Sequence, residues 1–156
     1  MFRRILVCLD GSNLAEQVLP YVTEIALRFE SKIVLLQVVA PSAGVSEPVG
    51  TTPGVSTYPP IPPEALGSIE KDARAYLERV AESLRNRGLF VDCETKQGPP
   101  GEVIVGFAED RAIDLIAIAT HGYGGIRRMV FGSVADFVIR ESSLPLLVVR
   151  SQEAGT

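Results

Sequence analysis

Basic charge is scarce in this chain, and so are the residues that most often carry redox, metal and acid–base chemistry. Its 156 residues hold 15 Lys and Arg against 19 Asp and Glu, a net charge of −4, and the pI is near 5.1. Non-specific nucleic-acid binding needs a basic surface, so no nucleic-acid partner is expected. Histidine occurs once, at His121. With no second imidazole and no nucleophile at a readable spacing, no catalytic triad can be assembled, and His121 reads as a local hydrogen-bonding residue. Cysteine occurs twice, at Cys8 and Cys93, both inside apolar strand-like runs where a free thiol acts as a small hydrophobe. With one strand between theirs they would lie roughly 9–10 Å apart, beyond the ~7 Å reach of a disulfide. No Cys or His cluster has metal-ligand spacing. No apolar run approaches the ~18–20 residues of a membrane span. The opening Met1-Phe2-Arg3-Arg4 runs straight into Ile5-Leu6-Val7-Cys8-Leu9, too short a stretch for a secretory signal. A cytoplasmic protein with no membrane contact is expected.

What the chain does have is hydrophobic residues, 46% of the total against 22% charged, and a length that suits one domain with a real core. Short apolar runs alternate with segments of helical spacing. Arg4 to Leu9 is the first strand, and Asp10-Gly11-Ser12-Asn13 supplies turn and N-cap residues. Leu14, Val18, Val22, Ile25 and Phe29 then mark one helix. Lys32 to Val39 is a second buried strand, and Leu66 to Leu84 a long amphipathic helix ending at Gly88. Leu89 to Lys96 alternates apolar with polar, the pattern of an exposed strand at a sheet edge. Pro100-Gly101-Glu102 opens a short helix, Ile113 to Ala119 is the fourth strand, Ser133 to Glu141 the fourth helix, and Leu144 to Val149 the fifth strand. Strands separated by helices imply parallel β-α-β units, hence a single doubly wound α/β domain with helices on both faces. Residues 41–63, with seven of the eleven prolines, break the alternation. A loop this long is either a mobile insertion or a lid over the strand ends where such sheets bind ligands.

One stretch points to chemistry. The apolar run to Ala119 stops in a glycine-rich loop, and ten residues after Gly122, Gly132-Ser133 opens the next amphipathic segment. Bare backbone, free N–H groups and the positive end of a helix dipole suit an anion, phosphate above all. The loop lacks the Lys-Ser/Thr ending of a Walker phosphate loop, and a dinucleotide pattern starting at Gly122 would need glycine where Arg127 stands. Arg127 and Arg128 suit either phosphate neutralisation or a solvated pair, and Tyr123 either packs over the loop or faces solvent. Asp10, at the end of the first strand, is either a turn residue or part of a site.

These residues resemble the universal stress protein family, in its nucleotide-binding branch. The resemblance runs from Ile5-Leu6-Val7-Cys8-Leu9-Asp10-Gly11-Ser12, through Leu35-Leu36-Gln37-Val38-Val39, to Ser143-Leu144-Pro145-Leu146-Leu147-Val148-Val149. The family signature is Gly, two residues, Gly, nine residues, then Gly-Ser or Gly-Thr. Gly122 and Gly132-Ser133 match it, while Ala119 stands at the first glycine. The resemblance implies a five-stranded parallel sheet in the order 3-2-1-4-5, an adenine nucleotide alpha-hydrolase-like, Rossmann-like sandwich. It implies a domain over residues 1–150, with a tail at 151–156. It also implies ATP in the crevice: adenine near Asp10 and the Val38 backbone, ribose by Ala119, phosphates over Gly122, Gly132, Ser133 and Val134. Mg²⁺ would accompany the phosphates. The family implies a homodimer through antiparallel contact of the apolar strand at 144–149, consistent with an exposed apolar edge. The expected function is a nucleotide-dependent stress-response switch with a protein partner, at most a slow ATPase. The alternatives are an AMP- or cyclic-AMP-binding member, or an interaction module that binds no nucleotide.

Overall fold

The computed structural model describes residues 1–39, 62–121 and 132–151, the side chains of residues 121 and 151 excepted. Its strands are β1 (Arg4–Cys8), β2 (Lys32–Val39), β3 (Phe90–Gln97), β4 (Leu115–His121) and β5 (Leu146–Ser151). They pair in parallel in the order β3-β2-β1-β4-β5, as expected. The helices are α1 (Asn13–Glu16), α2 (Leu19–Phe29), α3 (Pro63–Arg85), α4 (Pro100–Asp110) and α5 (Ser133–Glu141). None of the described helices is long and apolar enough to cross a membrane.

The central position of β1 follows from its composition. Ile5, Leu6 and Val7 are all fully buried, which only a strand covered on both faces allows. Side chains alternate across the sheet with a period of two. Ile5, Val7, Ile33, Leu35 and Ala117 pack with Val18, Val22, Leu77 and Leu84 of the α2–α3 layer. Leu6, Val34, Leu36, Ile116 and Ile118 pack with Ile104, Phe107 and Val138 of the α4–α5 layer. Strand β3 lies at the edge, with Phe90 74% exposed and Val91 buried. Cys8 and Cys93 sit in opposite layers, on strands separated by β2, and both thiols are free. Burial pushes the Cys8 thiol up to about 12 and Cys93 up to about 11, so both are protonated core filler at neutral pH.

The boundaries differ from expectation where a single residue redirects the backbone. The first helix is two helices. Pro20 has no N–H to give a carbonyl one turn back and its ring crowds that carbonyl, so α1 stops and α2 restarts with Pro20 in its first turn. Strand β4 begins at Leu115, later than Ile113. Ala112 adopts a left-handed φ of 50° and the Ile113 N–H donates to the Ala108 carbonyl at 3.0 Å, so Ile113 closes α4 before the strand starts. Strand β5 likewise begins only after Pro145, which lacks an N–H, and runs on to Ser151. Helix α3 ends as the sequence suggests: Gly88, at φ 86°, donates to the Arg85 carbonyl at 2.9 Å, and Leu89 donates to Leu84 at 3.4 Å. Of the segment 41–63, the described part is Pro62 and Pro63, which open α3; the lid expected there lies otherwise outside the described residues.

Candidate functional site

Strands β1 and β4 are neighbours, but the helices after them go to opposite faces. Such a reversal leaves a crevice beyond the carboxyl ends of the two strands. A cavity of about 290 Å³ occupies it, and Asp10, Val38, Ala119, Gly132, Ser133 and Val134 all line it. Six of the seven residues singled out from the sequence therefore meet at one place. The seventh, Gly122, lies outside the described residues, as do Tyr123, Arg127, Arg128 and the side chain of His121. The apolar walls are Cys8, Leu36 and Ile118 from the sheet and Pro100 and Ile104 from α4.

At the β1 end the loop is held by its own polar atoms. Asp10 Oδ1 accepts the Ser12 N–H at 2.9 Å and the Ser12 hydroxyl at 2.6 Å. Ser12 Oγ in turn accepts the Ala15 N–H at 3.1 Å and caps α1. Gly11 lies between them at φ 87°, a conformation that strains any side chain. Both lone pairs of Oδ1 are thus engaged, and a ligand donor would meet Oδ2. Asp10 is a turn residue and a wall of the crevice at once.

At the β4 end the arrangement suits an anion. Helix α5 has Gly132 at its N-cap and no side-chain cap. Its first-turn N–H groups therefore lack intrahelical partners, and the positive end of its dipole faces the crevice. Ser133 adds an exposed hydroxyl at the first helical position. The Gly132 N–H itself donates to Thr120 Oγ1 at 3.0 Å, across the base of the loop. Thr120 is 4% exposed. Sequence reasoning passed over it, because nothing in a lone threonine at a strand end says that it will face a helix start twelve residues later.

Ala119 is half-buried, and its side chain packs against the α2–α3 layer. The methyl group that replaces the expected glycine therefore joins the core on the far side of the sheet. The wall contributed by α4 depends on Gly101. A Cβ there would stand 2.5 Å from Phe137 Cδ1 of α5, so only glycine lets the two helices approach this closely. Asp10 is the only charged side chain among the described lining residues. No three His, Cys, Asp or Glu side chains gather as a metal site would need, among the described residues.

Comparison with known proteins returned one consistent answer. The model of the universal stress protein family matches residues 1–150. Universal stress protein MJ0531 of Methanocaldococcus jannaschii is 28% identical over 151 residues, covering 96% of this chain and 83% of its own length. The solved structure of MJ0577 from the same organism superposes with a TM-score of 0.71 at 25% identity, covering 99% of each chain. A universal stress protein in complex with cAMP superposes at 0.66, with 18% identity over 97% of this chain and 98% of its own. One from Archaeoglobus fulgidus in complex with dAMP superposes at 0.63, with 21% identity over 96% of this chain and all of its own.

Proposed function

This chain belongs to the universal stress protein family, and from that premise we propose that its β1–β4 crevice binds an adenine nucleotide, ATP in the leading reading. The observation that carries the proposal is the convergence of Asp10 and Val38 with Ala119, Gly132, Ser133 and Val134 on one cavity. The base would lie against the apolar walls, its amino group toward Asp10 Oδ2, and the phosphates would run to the uncapped start of α5. The cavity is near the lower end of the ~300–1,000 Å³ of small-molecule pockets, enough for a nucleoside with its phosphates directed outward. Relatives holding cAMP and dAMP support an adenine ligand. Mg²⁺ would be held chiefly by the phosphate oxygens, since the described walls offer a single carboxylate. Bound nucleotide would act as a switch that alters how the protein meets a partner.

A second reading, AMP or cyclic AMP, is favoured by one observation: the described lining has no cation to balance a triphosphate. Calorimetry with ATP, AMP, cyclic AMP and adenosine, with and without Mg²⁺, separates the readings. ATP binding that strengthens with Mg²⁺ supports the first, and Mg²⁺-independent AMP or cyclic AMP binding the second. No heat with any of them would leave an interaction module without a nucleotide. We further propose a homodimer through β5, whose Leu146 to Val149 remain half-exposed at a sheet edge; sedimentation showing only monomer at micromolar concentration refutes it.

A further inference from the structure

Thr120 is the penultimate residue of β4 and Gly132 is the N-cap of α5, and one hydrogen bond joins these two points. Thr120 Oγ1 accepts the Gly132 N–H at 3.0 Å. That bond takes the N–H of the N-cap residue itself and leaves open the first-turn N–H groups of α5, which no side chain caps. The threonine is 4% exposed, so its hydroxyl is sheltered from water that would otherwise compete for the same N–H. Both residues line the crevice, together with Ser133 and Val134.

Two physical consequences follow. A glycine at the N-cap is the least constrained residue available there, and left alone it would let the first turn of α5 sample several directions. Held to β4, it fixes where the next N–H groups, those of Ser133 and Val134, point. The bond also occupies the Gly132 N–H, so an incoming anion meets the donors one and two residues further on. β-Branching serves the same end: the threonine methyl restricts χ1, which keeps the hydroxyl aimed at Gly132.

We propose that Thr120 is a positioning residue for the phosphate end of the bound nucleotide, acting through Gly132 to aim the N-terminal donors of α5. The inference rests on the nucleotide reading above and deepens it: it makes phosphate recognition, and not base recognition, depend on a buried hydroxyl that need not touch the ligand.

The test compares three proteins by calorimetry with adenosine and with ATP, each also followed by thermal unfolding. Thr120→Val keeps the shape and removes the acceptor, and Thr120→Ser keeps the acceptor. With the wild type as reference, Thr120→Val is expected to weaken ATP binding by about tenfold while adenosine binding changes less than about twofold, and Thr120→Ser to restore most of the ATP affinity. Equal losses for both ligands, tracking a lowered melting temperature, would mean a merely structural role and overturn the proposal. So would a valine variant that binds ATP as the wild type does or more tightly. If the valine variant does not fold, Thr120→Ala is read in the same way. A wild-type protein that binds neither ligand refutes the nucleotide reading itself, a result distinct from every pattern among the variants.

Discussion

Replacing Gly101 by alanine sets two physical effects against each other, and their sizes decide the outcome. In a helix interior alanine is favoured over glycine by roughly 1 kcal/mol, and by less in the first turn where Gly101 sits. Propensity alone therefore predicts a slightly more stable protein. The added Cβ, however, would lie 2.5 Å from Phe137 Cδ1, 2.7 Å from Cγ and 3.0 Å from Cβ. Carbon atoms in contact prefer about 3.5–4.0 Å, so roughly 1 Å must be found. A ring flip cannot supply it, because Phe137 Cβ does not move with the side-chain torsions. The helices must separate, and overpacking of this kind costs about 1–3 kcal/mol. The net expectation is a loss of roughly 1–2 kcal/mol, or about 2–8 °C in melting temperature for a domain of this size. Urea unfolding should show a lower midpoint at unchanged slope. Nucleotide affinity should fall too, since Pro100 and Ile104 on α4 and Ser133 on α5 form facing walls of the cavity. Adding Phe137→Ala should cost less in the Gly101→Ala background than in the wild type, because the clash leaves with the ring. A Gly101→Ala protein at least as stable as the wild type would refute the close approach of α4 and α5, and with it the account of that wall.

The remaining expectations concern single groups. Asp10→Asn retains an oxygen for both Ser12 contacts but turns Oδ2 into a donor. AMP affinity should fall about tenfold with little change in melting temperature, and IMP, with an acceptor at the same position of the base, should lose less; equal AMP binding by both proteins would remove Asp10 from base recognition. The raised thiols of Cys8 and Cys93, about 12 and 11 against an ordinary 9.0, hold their protons more tightly folded than unfolded. Their contribution to stability is thus full below pH ~9 and is lost as pH rises through 11 to 12. Native protein at pH 8 should react with a thiol reagent far more slowly than urea-unfolded protein, and a native rate equal to the unfolded one would contradict their burial. Thr23 is 1% exposed on α2, and its hydroxyl has no hydrogen-bond partner among the described residues. An unpaired buried hydroxyl costs about 1–3 kcal/mol, so Thr23→Val should stabilise by about 1 kcal/mol in urea unfolding, and a comparable loss would show that the hydroxyl is bonded after all.

The alternation of strands and helices and both helix layers were legible because they rest on patterns repeated over many residues, while the strand order came from the resemblance to the family. A short run such as Ile5-Leu6-Val7, closed by turn residues, suits the middle of a covered sheet, and Leu89 to Lys96 announces its edge by alternating. Boundaries were less legible because one residue sets each. The left-handed turn at Ala112 has no glycine to advertise it, and Pro20 was outweighed by a helical spacing that continues on both sides of it.

The lining of the crevice was legible in its membership and not in the direction of each side chain, and the reason is geometric. The resemblance to the family's signature puts Ala119, Gly132 and Ser133 together; only sheet register says which way each side chain points. At Ala119 the register turns the methyl toward the α2–α3 core, so a departure from the family's glycine leaves the backbone facing the crevice. At the next residue the same alternation turns the Thr120 hydroxyl toward the opposite side, where Gly132 waits. A glycine pattern marks where backbone must come close to a ligand, but it cannot name the side chain that holds that backbone still. In this fold that side chain is the neighbour of the one position where the pattern fails, and a shift of register by one residue would exchange their places.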